Sequence, residues 1–166
     1  MVHQGRIPGT DTWKPINEDP AAQEDDLPGV LIIRIRENLD FANTTHLKDR
    51  LRRLELYGIR KHHPSDAPSR GRANVLVFHM ADMESVDASA TQIFLELLES
   101  SKERGVGIYF AHLREDPKRL WRKAGIMELL GEAAFQKDVA GVVAQLEQVE
   151  GITMRRRDER RTRTIG

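Results

Sequence analysis

The spacing of apolar positions along this chain changes several times, and each change marks an element. Val75-Leu-Val-Phe78 is an unbroken apolar run, and Val106 to Ala111 is another. Such runs predict strands buried on both faces, with helices packed against the sheet. Val30 to Ile33 is a third run, after which Ile35 alternates with arginines, so this strand leaves the core. Past Asp87 the period switches. Ala90, Ile93, Phe94, Leu97 and Leu98 fall at i, i+3, i+4, i+7 and i+8, an amphipathic helix from about residue 89 to Arg104 that Gly105 stops.

Punctuation residues complete the reading. "FANTTHLKDRLRRLELYG" predicts one helix, capped by Asn43 or Thr44, with Leu47, Leu51 and Leu54 as its buried stripe and Gly58 as its stop. "EDPKRLWRKAG" predicts another, with Asp116 as cap, Pro117 at the first helical position and Gly125 beyond the end. "AAFQ" reads as a short last strand, and Asp138 caps a final helix that aligns Val139, Val142, Val143 and Leu146. Residues 5–16 hold two prolines and two glycines, which restricts any strand there to a short edge. Alternating strands and helices in this order predict an α/β fold built on one mixed sheet.

Three regions follow. Residues 1–28 form an N-terminal edge strand and an acidic loop, and residues 29–150 form the core. Residues 151–166 are a basic tail that reads as disordered. Within the core, "IRKHHPSDAPSRGRA" at 59–73 has almost nothing to bury and reads as a flexible insert.

The balance of 26 basic and 26 acidic residues conceals an asymmetry. Residues 1–28 carry two basic against six acidic side chains. The tail carries Arg155, Arg156, Arg157, Arg160, Arg161 and Arg163 against two acids, a patch suited to weak contact with acidic lipid. With 166 residues, 39% of them hydrophobic, the chain has the means to build one core. It contains no cysteine, which excludes disulfides, thiolate metal sites and a cysteine nucleophile. No apolar run approaches the roughly 18 residues of a spanning helix, and the start lacks a signal-peptide core, so the chain reads as soluble by itself.

Catalytic patterns are sparse. There is no phosphate-cradling glycine loop and no nucleophile elbow, so no enzyme is expected and no cofactor is assigned. His62-His63 sits on the insert without a carboxylate pair, a poor metal site. His79 and His112 end neighbouring strands and suit either a proton-handling pair or histidines hydrogen-bonded to loops. The candidate site is Asp87-Ala88-Ser89, at the mouth of the helix that follows the 75–80 strand. Asp and Ser there serve as N-caps, or the helix mouth presents Ser89 to a partner or anion.

Four stretches resemble one known family: "GRIPGTDTW" (5–13), "PGVLIIRIRENLDFANTTHLKDRL" (28–51), "VLVFHMADMESVDASA" (75–90) and "VGIYFAHLREDPKRLWRKAGI" (106–126). They are similar to the STAS domain, in the version found at the cytosolic C-terminus of SulP-family anion transporters. "RENLDFANT" and the insert's "HPS" are similar to fungal members. The resemblance covers about residues 3–149. It implies a four- or five-stranded mixed sheet flanked by about four helices, without catalysis. It also implies a regulatory and interaction role at the cytosolic face of a membrane, the chain being a piece of a sulfate-type transporter. Partners so implied are the transporter's membrane domain and other cytosolic proteins, and a homodimer is compatible with it. Nucleotide binding is left open, and no specific nucleic acid is expected. The runner-up is a free-standing partner-switching protein of the anti-sigma-factor-antagonist kind. Soluble members of that kind carry a phosphorylated serine in a D-S-S junction, and Ala88 occupies the matching position here.

Overall fold

A computed structural model describes residues 1–23, 29–58, 63, 65, 67, 68 and 71–149. Acidic residues 24–26, most of the 59–73 insert, and the 151–166 tail with its six arginines lie outside the described residues.

The three apolar runs become parallel strands at the centre of one sheet: β3 (Val30–Arg34), β4 (Val75–His79) and β5 (Gly107–Ala111). On one side stands β1 (Val2–Arg6), antiparallel to β3, followed outward by β2 (Trp13–Pro15); on the other lies β6 (Phe135–Gln136), parallel to β5. The order is β2-β1-β3-β4-β5-β6. Six strands thus form among the described residues where four or five were expected. The outermost have three and two residues, too short for an alternation of burial to announce them.

Alternate residues of the central strands bury against two different layers. Leu31, Ile33, Leu76, Phe78, Ile108 and Phe110 face a core filled from α2 (Leu47–Tyr57), α3 (Ala88–Glu103), α4 (Glu115–Lys123) and α5 (Ile126–Leu130). Ile32, Val77 and Ala111 face the last of the described helices, over 139–149 and numbered α6, through Val139, Val142, Val143 and Leu146. Asp138 caps α6, its Oδ1 accepting from the Gly141 N–H at 2.8 Å.

Local chemistry corrects three expectations. The helix predicted over 41–57 is two helices, α1 (Phe41–Thr45) and α2, joined at His46. Thr45 Oγ1 donates back to the Ala42 carbonyl at 2.9 Å, a hydroxyl competing for backbone partners just where the helix breaks. The α1 cap is neither Asn43 nor Thr44 but Asp40, which accepts from the Asn43 N–H while the Asn43 side chain accepts from the Asp40 N–H. Finally, α4 starts two residues before Pro117 and its N-cap is Arg114, without a side-chain cap bond, instead of Asp116. The first four N–H groups of a helix lack intrahelical partners anyway, so a proline at the third position takes nothing from the helix.

The glycine-rich opening is a built turn. Arg6 donates to the Thr10 carbonyl and Asp11 at 2.7 Å each, and its guanidinium lies 5.4 Å from the Trp13 ring centroid. Arg6 also exchanges backbone bonds with Gln23 at 2.7 and 2.9 Å. This close approach requires Gly5, since a Cβ there would stand 2.2 Å from the Gln23 carbonyl oxygen.

Candidate functional site

The strand β4 ends at His79, and the chain then crosses the top of the sheet to α3. Met80 and Met83 bury completely and pin this crossing. Beside it, the β3–α1 connection makes a parallel bridge, Leu39 opposite Val86, with the Asp87 N–H donating to the Leu39 carbonyl at 3.1 Å. Asn38 Oδ1 accepts from the N–H groups of Glu84 and Ser85 at 2.8 and 3.0 Å. Two loops 46 residues apart in sequence are therefore stitched together, and they set the N-termini of α1 and α3 side by side.

Asp87 is the brace. Its Oδ1 accepts from the Ala90 N–H of its own helix at 2.6 Å, and its Oδ2 accepts from the Phe41 N–H, the first residue of α1, at 3.2 Å. Thr91 Oγ1 donates to the Asp87 carbonyl at 2.9 Å. The cap thus falls to Asp87 alone. Ser89 is the second residue of α3, exposed, and its hydroxyl has no hydrogen bond among the described residues. Ala88 is exposed as well. Phe41, 60% exposed, stands at this mouth with no cover.

Asp87→Ala removes one N-cap bond and the bond to the neighbouring helix, so it is expected to destabilise the domain by about 1–2 kcal/mol. Ser89→Ala is expected to stay within about 0.5 kcal/mol. Urea unfolding of the two variants checks this contrast, and equal losses would refute the assignment of the cap.

The histidines at the strand ends do meet. The rings of His79 and His112 lie edge to face with centroids 4.5 Å apart. His112 is the only non-glycine with positive φ among the described residues. His79 is 8% exposed and its Nδ1 finds no hydrogen bond, so it is not a loop-bonded histidine. Burial first, then the neighbouring His112 and Arg34, pushes its pKa down to about 4; burial also lowers that of His112. A pair held neutral in this way stores no proton at neutral pH. Beside it Arg34 clamps Asp82 through two bonds of 2.7 and 2.8 Å, and that guanidinium holds the Asp82 carboxyl below its ordinary range. His62 lies outside the described residues; His63 Nδ1 meets Ser65 Oγ at 2.7 Å. Among the described residues no group of three His, Asp or Glu side chains could hold a metal ion.

Pattern reading misses Asn38, Asp40 and Phe41, which complete the helix mouth. A local signal exists for one of them, the Asp40-x-x-Asn43 spacing of a capping box.

A family model described as "STAS domain" matches residues 21–142. The chain is 36% identical over 125 residues to a probable sulfate permease of Schizosaccharomyces pombe, a match that covers 74% of this chain and 19% of that protein. The chain spans about one-fifth of the length of the curated relatives it matches. Among solved structures, the murine Solute Carrier 26 family member A9 anion transporter superposes with a TM-score of 0.70 at 16% identity, over 89% of this chain and 22% of that one. The STAS domain of a SulP transporter from Vibrio cholerae gives 0.57 at 16% identity, over 78% of this chain and 90% of that one. These two likenesses concern the fold, and the family match concerns the sequence. The chain belongs to the STAS domain family, in the branch whose relatives are sulfate transporters of the SulP type.

Proposed function

We propose that this chain is the regulatory and docking domain of a secondary anion transporter, working at the cytosolic face of a membrane, with sulfate as the carried ion. The observation that carries this reading is the twin helix mouth. Asp87 locks α1 and α3 together, while Phe41, Ala88 and Ser89 stay exposed on the locked face. A rigid face with a projecting phenyl ring suits contact with a protein surface. In the partner-switching relatives a phosphate at this mouth adds a charge of about −1.5 to −2 and undoes docking. Ala88 offers no hydroxyl for that chemistry, so the face docks constitutively, against the transporter's membrane domain or a cytosolic partner. The regions keep separate roles: 1–28 closes the sheet edge, 29–150 carries the docking face, and the arginines of 151–166 add attraction to acidic headgroups.

The test uses the full-length protein encoded by the gene, expressed in cells lacking their own sulfate uptake. Phe41→Asp and Ala88→Arg are expected to lower radiolabelled sulfate uptake or surface abundance severalfold while leaving the melting temperature of the domain unchanged. Normal uptake by both variants would remove the docking face from the reading. A stoichiometric phosphate on Ser89 in the native cell would show instead that the face is switched.

A further inference from the structure

At the far end of α3 lies a feature unconnected with the mouth. Helices α2 and α3 leave a cleft of about 230 Å³ between them. Lys48 and Arg52 enter it from α2, Arg72 from the segment leading into β4, and Ser100 and Arg104 from the end of α3. Its floor is Glu55, only 5% exposed. This residue continues the inward stripe of α2 after Leu47 and Leu51, the place where pattern reading sets Leu54. The Ala73 amide lies close enough to lower the pKa of the carboxyl, but Oε1 has no hydrogen-bond partner among the described residues.

A buried carboxyl with one oxygen unused is uncommon, and an ion pair is the usual remedy. Among the described residues none of the four cations makes one with it, or with any other acid. Arg104 donates to the Ser100 carbonyl and Ser101 Oγ at 3.3 and 3.2 Å. Cations often gather at helix C-termini because the dipole favours them there. That accounts for Arg104, the C-cap of α3, but not for Lys48 and Arg52 in the first half of α2, nor for Arg72, which is on no helix.

The geometry points to a binding site in this cleft for a tetrahedral dianion of the sulfate or phosphate class, with Arg52, Arg72, Arg104 and Lys48 as its cationic ligands and Glu55 as its proton-carrying floor. Size favours a small ion, because pockets for drug-sized ligands run from about 300 to 1,000 Å³. Charge favours an anion, since four positive side chains line the cleft with one acid. Guanidinium forks match the oxygens of such an ion in pairs. Glu55 decides the pH dependence. Burial holds its carboxyl above the ordinary range, against the lowering effects of Arg104, Arg72 and the Ala73 amide. An incoming dianion raises it further, so Glu55 takes one proton from solvent on binding. Its O–H then donates to the ion, which supplies the partner that Oε1 lacks. Affinity accordingly rises as pH falls through the raised value and levels off below it. This inference stands whether or not the helix mouth docks a partner.

Sodium sulfate is the probe, because it does not titrate in this range. It is titrated into the 166-residue chain from about pH 8 down to about pH 4.5, the ordinary value of a glutamate, with sodium chloride holding ionic strength constant and calorimetry reading heat and proton uptake. Saturable binding that tightens at least about tenfold toward the acid end is expected. Glu55→Gln should bind with no pH dependence, because the amide donates permanently. Arg72→Met and Arg104→Met should each weaken binding at least about tenfold; if either fails to fold, Arg52→Met at the exposed rim is read in its place. Vesicles carrying phosphatidylinositol 4-phosphate form the second arm: capture that Arg72→Met or Arg104→Met lowers assigns the site to a lipid headgroup, because the tail arginines remain in both variants, and capture that neither variant changes assigns it to a free ion. Binding no stronger than that of chloride would overturn the proposal. So would binding by wild type that ignores pH, or that survives loss of the arginines.

Discussion

Replacing Phe94 with alanine is expected to destabilise the domain by about 3–5 kcal/mol, the upper end of what truncating a single side chain costs. Phe94 has no exposed surface. Its ring meets Phe78 of β4 and Phe110 of β5 edge-on at 5.8 and 6.0 Å, and lies tilted on Trp121 of α4 at 5.1 Å. Truncation therefore leaves a void where two strands and two helices meet, and a close-packed interior refills it only partly. Against a total of about 5–15 kcal/mol for a typical domain, such a loss is roughly a fifth or more of the stability. Phe41→Ala is the control: the same ring is deleted from an exposed site, with an expected change within about 0.5 kcal/mol. Guanidinium unfolding of the pair checks both, and a Phe94→Ala loss below about 1.5 kcal/mol would mean that the core repacks around the gap.

Acidification is expected to weaken the fold through His79. Its folded value of about 4 lies below the ordinary value of about 6.5, so the neutral ring is the stable form in the folded state. The unfolded chain binds a proton more readily, so stability is fully present above about pH 6.5 and is lost as pH falls toward about 4. Linkage gives a loss of about 2 kcal/mol by about pH 5 and about 3 kcal/mol at completion. His112, shifted the same way, adds to it. His79→Leu isolates the effect, since the difference in stability between wild type and variant should shift by about 2 kcal/mol between about pH 7 and about pH 5. The window matters because the carboxyls of Glu18, Asp19 and Asp82, lowered by their partners Arg36, Lys14 and Arg34, give up their contributions only in stronger acid. A parallel decline in both proteins would show that His79 does not titrate as its burial requires.

The central strands are legible because a parallel sheet covered on both faces demands unbroken apolar runs, and Val75–Phe78 and Val106–Ala111 supply them. The helix α3 is legible by its period and by Gly105. The edges are not. A strand of two residues such as β6 exists because β5 offers it partners, and no local pattern records that offer. Glu55 misleads the periodicity for another reason: a carboxylate on an inward face reads as a reason to rotate the helix, which hands its place to Leu54. At the candidate site, Asp87-Ala88-Ser89 stands out because helix mouths favour short polar side chains. Its other half, around Asn38 and Phe41, is hidden by distance along the chain. Only the sheet brings β3 and β4 together, and with them the two loops.

The near-sequential strand order bears on how the protein is made. A chain leaving the ribosome folds from its N-terminus, and from β3 onward each new strand pairs with the one just before it. The helices that fill the first face arrive between those strands, as the sheet grows. The second face waits. Among the described residues, no helix covers Ile32, Val77 and Ala111 until 139–149 have emerged. A product that stops before residue 139 therefore holds a paired sheet with one apolar side bare, the kind of surface that chaperones bind and that drives aggregation. The helix α6 is thus the one that covers the second face and makes the nascent domain safe to release.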